Sequence, residues 1–442
     1  MRPFFAVGIN FSISLPDNPP SSSQSAAIYA SNAAVCPLSR IGMNGLFCYG
    51  RHMKHYLAGG AVRNSLLGLP PTDLDYAFAG TEGDFIALNP AARKLGGGPT
   101  IQLGKAEYTP LGKNIEENLR QRDFTINSFL LEENGVLHMH PDALDDLKGG
   151  VIHPASTDAF VADHLRIFRA ARFCSCFPDF TPSSRCLELM RNSALLPEFE
   201  NIAPERVGQE CIKALDGIKP GNFIRVLSQA GCLGYWFQEF EHAENIPAGP
   251  PQFHQLSVLE HIAVAMDEVC VEFEAYMEKS ELSAERRKKL RRLAVWMSLC
   301  HDLGKVNTPE AILPSHYLHE TRGIKAAEEL GKRIRLPNRL LLAGTVAARL
   351  HMKAGIYKQM RPGTRVDLLL QVNANKLLIP LFLLAQADSG DSSLLSLALD
   401  ELKKILPLKL PVELQNKGKI SGERLREMRC LALPRTPESC HF

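Results

Sequence analysis

The sequence predicts an α+β protein with a small mixed-sheet head, an all-helical neck and body, and a further helical domain. Residues 56–80, YLAGGAVRNSLLGLPPTDLDYAFAG, alternate apolar runs with glycine and proline turns, a pattern typical of strand, turn, helix, turn and strand. From Asp158 onward, apolar side chains recur at helical spacing through most of the chain. A chain of 442 residues is long enough for two or more domains.

Composition narrows the class of protein. The formal net charge of +2 is nearly balanced, so charge alone does not indicate a nucleic-acid-binding protein. Eleven cysteines without a C-x-x-C pair are typical of reduced thiols in a cytoplasmic protein rather than of a disulfide framework. No apolar run approaches the roughly 18–20 residues needed to cross a membrane. We therefore expect a cytoplasmic protein with no membrane partner.

The stretch 56–80 carries the first group of chemically active residues. Asp73 and Asp75 open the second apolar run, and residues two apart on a strand point to the same side. Paired carboxylates suit Mg²⁺, and metal ions there can clamp both oxygens of an in-line phosphoryl displacement. Gly59 and Gly60 permit close approach of a phosphate, and Arg63 adds a charged donor one helical turn later.

Together these residues resemble the nucleotidyltransferase signature of the polymerase-β superfamily. The form is that of bacterial tRNA nucleotidyltransferases (CCA-adding enzymes) and poly(A) polymerases, in which GG-x-V-R-D precedes D-x-D. Asn64 stands where the family has Asp. The resemblance implies a polymerase-β-like head in which Asp73 and Asp75 are catalytic and hold Mg²⁺. It also implies nucleotide binding by Gly59, Gly60 and Arg63.

Residues 81–119 predict a helix, a glycine loop and two strands that complete the sheet, and DALDDLKGGVIHP predicts a hairpin and loop that close the domain near residue 155. Glu107, in an alternating strand, either joins the two aspartates as a third carboxylate or faces solvent. The segment Leu119–Ser128 resembles the family's RRD-hT-IN motif, with Gln121 in place of the first arginine. The resemblance implies that Arg122 and Asp123 bind the ribose and phosphate of the nucleotide; the alternative is an ordinary ion pair at a helix start.

The run 161–173 predicts one helix with a polar ridge of residues spaced three apart, namely Asp163, Arg166, Arg169 and Arg172. It resembles the family's E-D-x-x-R motif, which reads the incoming base, although Ala162 replaces the Glu. A carboxylate accepts from an exocyclic amine and a guanidinium donates to a ring acceptor, which favours CTP and ATP over UTP and GTP. Arg169 and Arg172 then remain for the triphosphate. The alternative is a structural helix with internal ion pairs.

A second constellation lies in the last third of the chain. Its members stand within apolar helical runs, where a charged side chain needs a partner or a metal: His261, His301, Asp302 and Asp388. Two imidazoles and two carboxylates suit a first-row divalent metal such as Ni, Mn or Co. The order H…HD…D, with LCHDLGK-x-x-TP, resembles the HD phosphohydrolase domain fused behind some CCA-adding enzymes. It implies hydrolysis of 2′,3′-cyclic phosphates or phosphomonoesters. We expect His316, His319 and His351 either to complete a second metal site or to hold a phosphate.

We therefore predict a template-independent CCA-adding enzyme with CTP, ATP and tRNA as partners, no DNA, and an HD side activity. Gln121 and Ala162 leave open a CC-only, A-only or poly(A) specialist. A phosphohydrolase with an RNA-holding head and a non-enzymatic RNA-binding scaffold are rivals from other classes. The basic runs 286–292 and 417–428 either meet RNA phosphates or form solvated helix faces.

The predicted divisions follow from the resemblance and from composition. Residues 1–52 are poor in charge and lack periodicity, so we predict a disordered leader or a start assigned upstream of a natural start at Met53; a transit peptide is the alternative. The remaining predicted divisions are a catalytic domain at 53–155, a neck and body at 156–245, an HD domain at 252–395 and a helical tail at 396–442.

Overall fold

The computed structural model of the chain describes residues 53–434, apart from Thr72, Phe253, His254 and Lys279, together with the two-residue strand Ala27–Ile28. The chain forms two compact units, residues 1–147 and 148–442. The predicted leader lies outside the described residues except for that short strand. The finer predicted divisions remain predictions.

A mixed sheet organises the first unit. Its strands are β1 (Ala27–Ile28), β2 (His55–Ala58), β3 (Leu74–Phe78), β4 (Arg93–Lys94), β5 (Ile101–Leu103), β6 (Ala106–Pro110), β7 (Phe129–Glu132) and β8 (Leu137–Met139). The strand order is β1-β8-β7-β2-β3-β6-β5-β4. The central strand β3 runs antiparallel to β2 and parallel to β6. This arrangement confirms the predicted mixed-sheet head.

The helices that flank this sheet in the first unit are α1 (Gly60–Leu66), α2 (Glu82–Leu88) and α3 (Ile115–Arg120). Helix α2 begins at a capping box, in which the Thr81 hydroxyl and the Asp84 carboxylate each accept from the other residue's backbone N–H. Phe85 of α2 packs against Phe78 of β3 and Tyr108 of β6, with ring centroids 4.5 and 4.8 Å away. The apolar half of β3 is thereby buried, which leaves its first residues at the edge of the core.

The segment predicted to be a hairpin is instead a helix, α4 (Ala143–Gly149). Ala143 and Leu147 lie one turn apart and are both buried, while Asp145 and Asp146 occupy the first turn, where acidic side chains favour the helix dipole. The glycine pair after Lys148 ends the helix rather than forming a hairpin turn. A short strand, β9 (Val151–Ile152), follows and pairs in parallel with β10 (Thr181–Pro182).

The second unit is mainly helical, as predicted. Its helices are α5 (Ala159–Ala162), α6 (Arg166–Cys176), α7 (Ser184–Ala194), α8 (Pro204–Leu215), α9 (Asn222–Gln229), α10 (Val258–Met277), α11 (Ala284–Cys300), α12 (Leu303–Val306), α13 (His319–Arg333), α14 (Asn338–Gly355), α15 (Pro362–Ala374), α16 (Leu378–Ser389), α17 (Leu394–Ile405) and α18 (Lys419–Leu431). The last eight residues of α11 are all buried, because α11 packs against α10, α14 and α16. Within the described part of the chain, no helix combines the length and the apolar character needed to cross a membrane.

Candidate active sites

The catalytic carboxylates predicted in the first unit lie together on one strand. Asp73 directly precedes β3 and Asp75 is its second residue, and both side chains are exposed. Glu107 of β6 is the register partner of Asp75 and is also exposed, so it lies on the same face of the sheet. Neighbouring strands are roughly 4.8 Å apart, so the three carboxylates form an exposed group of oxygen donors. This donor set fits Mg²⁺, which prefers carboxylate oxygens and retained waters.

The glycine turn after β2 lies against an arginine. Gly59 has a φ of +61°, a conformation that L side chains rarely adopt, and a Cβ at this position would lie 3.0 Å from Nη1 of Arg122. Arg122 also donates from Nη2 to the Asn118 side chain at 3.0 Å. Burial lowers the pKa of Arg122, and the charges of Asp123 and Asp75 act in the opposite direction. The structure therefore brings Gly59, Arg122 and Asp75 into one neighbourhood.

The side chain of Arg63, in α1, is buried. Its buried guanidinium donates to Oδ1 of Asn64 at 2.8 Å from Nη2 and to Oδ1 of Asn127. Asn127 in turn donates to Oδ1 of Asp123 at 2.9 Å, and the same oxygen accepts the N–H of Phe124 at 2.8 Å. Arg63 and Asp123 are thus joined through Asn127. The neutral Asn64 keeps its hydrogen bonds to Arg63 without supplying the charge of an aspartate.

Asn127 was missed as a functional residue, although it stands inside the Leu119–Ser128 motif. The signal was its position four residues after Asp123, where one turn brings the two side chains together. The network joins Arg63 and Asp123 through Asn127 beside the glycine turn. Their predicted contacts with the nucleotide remain predictions.

The predicted single helix through 161–173 is wrong, because it breaks at Asp163. Helix α5 ends at Ala162, Asp163 is extended with φ −156° and ψ 104°, and α6 starts at Arg166. The Asp163 carboxylate accepts the N–H of Leu165 at 3.2 Å. This local contact between a side chain and the backbone competes with the hydrogen bonds of a continuous helix, which favours a turn at this point.

The arginines of the predicted ridge lie on α6, where two of them contact one buried glutamate. The guanidinium of Arg172 lies 2.5 Å from Glu210 of α8, and that of Arg169 lies 3.9 Å from the same carboxylate. Arg166 donates to the carbonyl of Ala159 at 3.1 Å. Another residue of α8, Arg206, forms an ion pair with Asp163 at 2.8 Å.

Sequence reasoning missed Arg206 and Glu210. They stand one turn apart on α8, so they share a face, but nothing in the local sequence indicates that this face meets α6. Arg206 pairs with Asp163, and Glu210 pairs with Arg169 and Arg172, so these side chains belong to ion pairs between α8 and the region of α6. The predicted base-selecting and triphosphate-binding roles remain predictions.

The four residues of the predicted HD set are brought together from three helices and a turn. His261 of α10 lies with Nε2 3.0 Å from Oδ2 of Asp302 and 3.2 Å from Oδ1 of Asp388, near the end of α16. His301, at the end of α11, lies with Nε2 3.2 Å from Oδ2 of Asp302 and 3.3 Å from Nε2 of His261. Nitrogen and oxygen donors at these separations suit a divalent transition metal.

Two of the three additional histidines lie on the other side of Asp302. His319 and His351 each place Nε2 3.4 Å from Oδ1 of Asp302, and their Nε2 atoms are 3.2 Å apart. His316 lies elsewhere, because its ring nitrogens contact the Thr308 hydroxyl at 2.7 Å and the Pro247 carbonyl at 2.8 Å. The structure therefore separates His316 from the pair that the sequence grouped with it.

The electrostatics of the HD set favour ionised carboxylates. Burial opposes the charge on Asp302, but His301 and Lys305 outweigh it and hold the pKa of Asp302 well below its usual range. Burial likewise favours neutral His261, but hydrogen bonds with Asp302 and Asp388 raise the pKa of His261 to about 9. Burial lowers the pKa of His319. Buried anionic oxygens beside imidazoles form a group that attracts a cation.

Part of the basic run 286–292, at the start of α11, contacts the end of α8. Arg291 donates to the carbonyls of Leu215 and Gly217 at 2.9 and 2.6 Å. Arg292 makes two contacts with Asp216, at 3.0 and 2.6 Å. In the second basic run, Arg426 pairs with Asp367 at 2.7 Å. Both runs thus contribute packing contacts between helices.

Two curated proteins similar to this chain carry the same name. The chain is 33% identical over 342 residues to the multifunctional CCA protein of Tolumonas auensis, which covers 72% of this chain and 78% of the relative. It is 33% identical over 310 residues to the multifunctional CCA protein of an Azoarcus species, with 64% and 70% coverage. No protein-family model matches the chain.

Solved structures share the fold at lower identity. The Thermotoga maritima CCA-adding enzyme complexed with a tRNA is 22% identical, with a TM-score of 0.58 and 86% of each chain covered. A CCA-adding enzyme in complex with CTP is 21% identical, with a TM-score of 0.58 and coverage of 88% of this chain and 89% of that one. These likenesses confirm the predicted α+β architecture.

Proposed function

The chain belongs to the bacterial CCA-adding tRNA nucleotidyltransferases, the family of the multifunctional CCA proteins, and from this membership we propose which of its residues act in each reaction. The enzyme transfers CMP and AMP from CTP and ATP to the 3′ end of tRNA and releases pyrophosphate. Membership favours the complete CCA reaction over the CC-only, A-only and poly(A) specialists. We also propose a cytoplasmic location, supported by the composition of the chain.

We assign the transfer to Asp73 and Asp75, with Mg²⁺ as their cofactor. The single observation that carries this assignment is their exposure on one face of β3, beside the close approach of Gly59 to Arg122. Bound Mg²⁺ would supply Lewis-acid activation of the terminal 3′-hydroxyl and of the α-phosphate. The carboxylates orient the site, and Arg122 supplies a fixed positive charge for the ribose or phosphate of the nucleotide.

The remaining residues of the first unit act on the triphosphate. Gly59 and Gly60 leave the turn open to a phosphate, since a side chain at Gly59 would meet Arg122. Arg63 and Asp123 keep this turn in position through Asn127. Preorganised donors of this kind stabilise developing charge more effectively than mobile ones.

Base selection is assigned to Asp163 and Arg166. The extended backbone at Asp163 places a carboxylate at the start of α6, and Arg166 is the first residue of that helix. The carboxylate accepts from the amine of cytosine or adenine, while the guanidinium donates to the adjacent ring nitrogen. Arg169 and Arg172, held by Glu210, supply positive charge to the triphosphate.

The transfer is tested by incorporation of each labelled NTP into tRNAs that end before CCA, after C and after CC. We expect C and then A on all three substrates, stopping at CCA, and no incorporation by the Asp73→Asn/Asp75→Asn double variant. Asp145→Asn, an exposed aspartate of α4, serves as the matched control and should keep full activity. Incorporation by the double variant would show that the catalytic assignment is wrong.

We propose a second, metal-dependent phosphohydrolase activity for the HD set of the second unit. Its support is the convergence of His261, His301, Asp302 and Asp388 within hydrogen-bonding distances. A divalent Ni, Mn or Co ion would polarise a phosphate and activate water there. The test is release of product from a nucleoside 2′,3′-cyclic phosphate by chelator-treated protein with each metal restored. Absence of hydrolysis with every metal would refute this activity.

A further inference from the structure

We propose that His164 and Ser193 are positioning residues for base selection. Their side chains are hydrogen-bonded to each other and brace the break between α5 and α6, where Asp163 lies. The inference rests on the base selection by Asp163 and Arg166 proposed above, and it adds two residues that act through that pair.

The break between α5 and α6 is a point at which the chain could pivot. Asp163 is a single extended residue between the end of α5 at Ala162 and the turn that precedes Arg166. Rotation about its backbone dihedrals would swing its carboxylate relative to α6. A group that selects a base must be held closely, because a misplacement of about 1 Å can lower a rate on the order of 100-fold.

Ser193, in the last turn of α7, links the two sides of this break. Its hydroxyl donates to the carbonyl oxygen of Phe160, in α5, at 3.2 Å, and its oxygen lies 2.7 Å from Nδ1 of His164. The carbonyl of Phe160 lies near the end of α5, where carbonyl groups lack partners within their own helix. Because α7 also packs against α5, it gives both sides of the break one fixed reference.

The direction of the two hydrogen bonds follows from the groups involved. A carbonyl only accepts, so the single hydroxyl hydrogen of Ser193 goes to Phe160, and Nδ1 of His164 supplies the hydrogen of the second contact. His164 and Ser193 are 9% and 1% exposed, so water has little access to replace a lost partner. A buried polar group left without its partner is unfavourable, and either truncation would therefore disturb the whole link.

The link acts on the backbone of Asp163 rather than on its carboxylate. The carboxylate itself accepts the N–H of Leu165 at 3.2 Å and pairs with Arg206 at 2.8 Å. His164 directly follows Asp163, so the contact with Ser193 fixes the peptide from which that side chain extends. Loss of His164 or Ser193 should change the direction of the carboxylate without removing either base-selecting side chain.

A purely structural contact is the alternative, and the two roles differ in one measurable ratio. A structural contact would affect the stability of the protein and the share of active molecules. That share cancels when kcat/KM for CTP is divided by kcat/KM for UTP on the same sample. A positioning contact lowers this ratio, because the misdirected carboxylate discriminates less well between the two bases.

The ratio is measured with full-length protein and a tRNA that ends before CCA. We expect His164→Ala and Ser193→Ala each to lower it about three- to tenfold. The double variant should lower it no further, because both residues act through one hydrogen bond. His164→Asn carries an amide nitrogen that can donate to Ser193 in place of Nδ1 and should keep the ratio of the parent protein. Ser175→Ala is the matched control, since this buried serine of α6 donates within its own helix, to the carbonyl of Ala171 at 3.2 Å.

Circular dichroism establishes that each variant is folded, and Asp163→Asn is measured beside them. A folded His164→Ala or Ser193→Ala protein with the ratio of the parent would overturn the inference, and so would a loss in His164→Asn as large as that in His164→Ala. A lower ratio in Asp163→Asn alone would overturn the inference and leave base selection by Asp163 in place. A lower ratio in the His164 and Ser193 variants but not in Asp163→Asn would support their positioning role, through Arg166, and refute base selection by Asp163. An unchanged ratio in every variant would refute both.

Discussion

The closest backbone approach beside the HD set gives the sharpest test of its geometry. Gly304, in α12 two residues after Asp302, lies against the first turn of α13, and a Cβ there would be 1.9 Å from the carbonyl oxygen of His319 and 2.5 Å from the N–H nitrogen of Gly323. Ordinary contact begins at 3.4 Å, so Gly304→Ala must open the two helices by about 1.5 Å. Metal–ligand distances tolerate only about 0.2 Å. A shift of this size would displace Asp302 from the other residues of the HD set.

The stability of this variant follows from two opposed terms. Alanine favours helix by about 1 kcal/mol relative to glycine, whereas overpacking a rigid contact destabilises by about 1–3 kcal/mol or more. We expect a net loss of about 1–2 kcal/mol in the free energy of unfolding, measured by urea denaturation, together with loss of the metal-dependent hydrolysis of 2′,3′-cyclic phosphate. Gly355→Ala is the matched control, because Gly355 ends the helix that carries His351 and a Cβ there would meet nothing within 4 Å. A Gly304→Ala protein that is as stable as this control and equally active in that hydrolysis would refute the reasoning.

Four further outcomes are expected. Glu210→Gln leaves the half-buried Arg172 without its counter-charge. The free energy of unfolding, measured in urea, should fall by about 2 kcal/mol, which is less than the roughly 3–5 kcal/mol expected for a fully buried pair. Glu205→Gln, at an exposed position of the same helix, should change it by less than about 0.5 kcal/mol. Asp163→Asn replaces an acceptor by an amide that can also donate, so the preference for CTP over UTP, measured as a ratio of kcat/KM, should fall at least about tenfold; an unchanged ratio would remove Asp163 from base selection. Burial lowers the pKa of His55, so the imidazole binds a proton more readily in the unfolded chain than in the folded one, and the free energy of unfolding should fall as the pH drops below 6.5. The His55→Gln variant should show a weaker pH dependence. An equal slope in both proteins would contradict this role of His55. Chelator should abolish both nucleotide transfer and cyclic-phosphate hydrolysis. Mg²⁺ alone should restore incorporation into tRNA, whereas hydrolysis should require a transition metal. Restoration of both activities by Mg²⁺ would contradict the assignment of a transition metal to the HD set.

The local parts of the fold were predictable from the sequence because their signals are local. The glycine turn, the following helix and the carboxylates of β3 depend on residues within a stretch of 25, and apolar periodicity was enough to predict the helical second unit. The break at Asp163 was missed because helix periodicity continues through it, whereas the extended backbone of Asp163 and its side-chain contact with the N–H of Leu165 interrupt the helix. The hairpin expected before residue 155 failed for a related reason: the glycine pair ends a helix there.

Partners distant in the chain were beyond the reach of sequence reasoning. Glu210 is separated from Arg172 by 38 residues, and nothing local indicates that α8 lies along α6. The histidines were recognised as a set, but their division into two groups depends on which oxygen of Asp302 each one faces. That division appears only when the helices are packed.

The engagement of the basic run 286–292 has a consequence for how tRNA affinity would respond to salt. Each phosphate neutralised by a lysine or arginine releases condensed counterions, and the slope of log affinity against log salt counts those contacts. Arg292 already neutralises Asp216, and Arg291 donates to the carbonyls of Leu215 and Gly217 at the end of α8, so these two guanidinium groups are already engaged within the protein. These two arginines should therefore contribute little to the slope of a salt titration. Their charge closes the end of a helix within the protein.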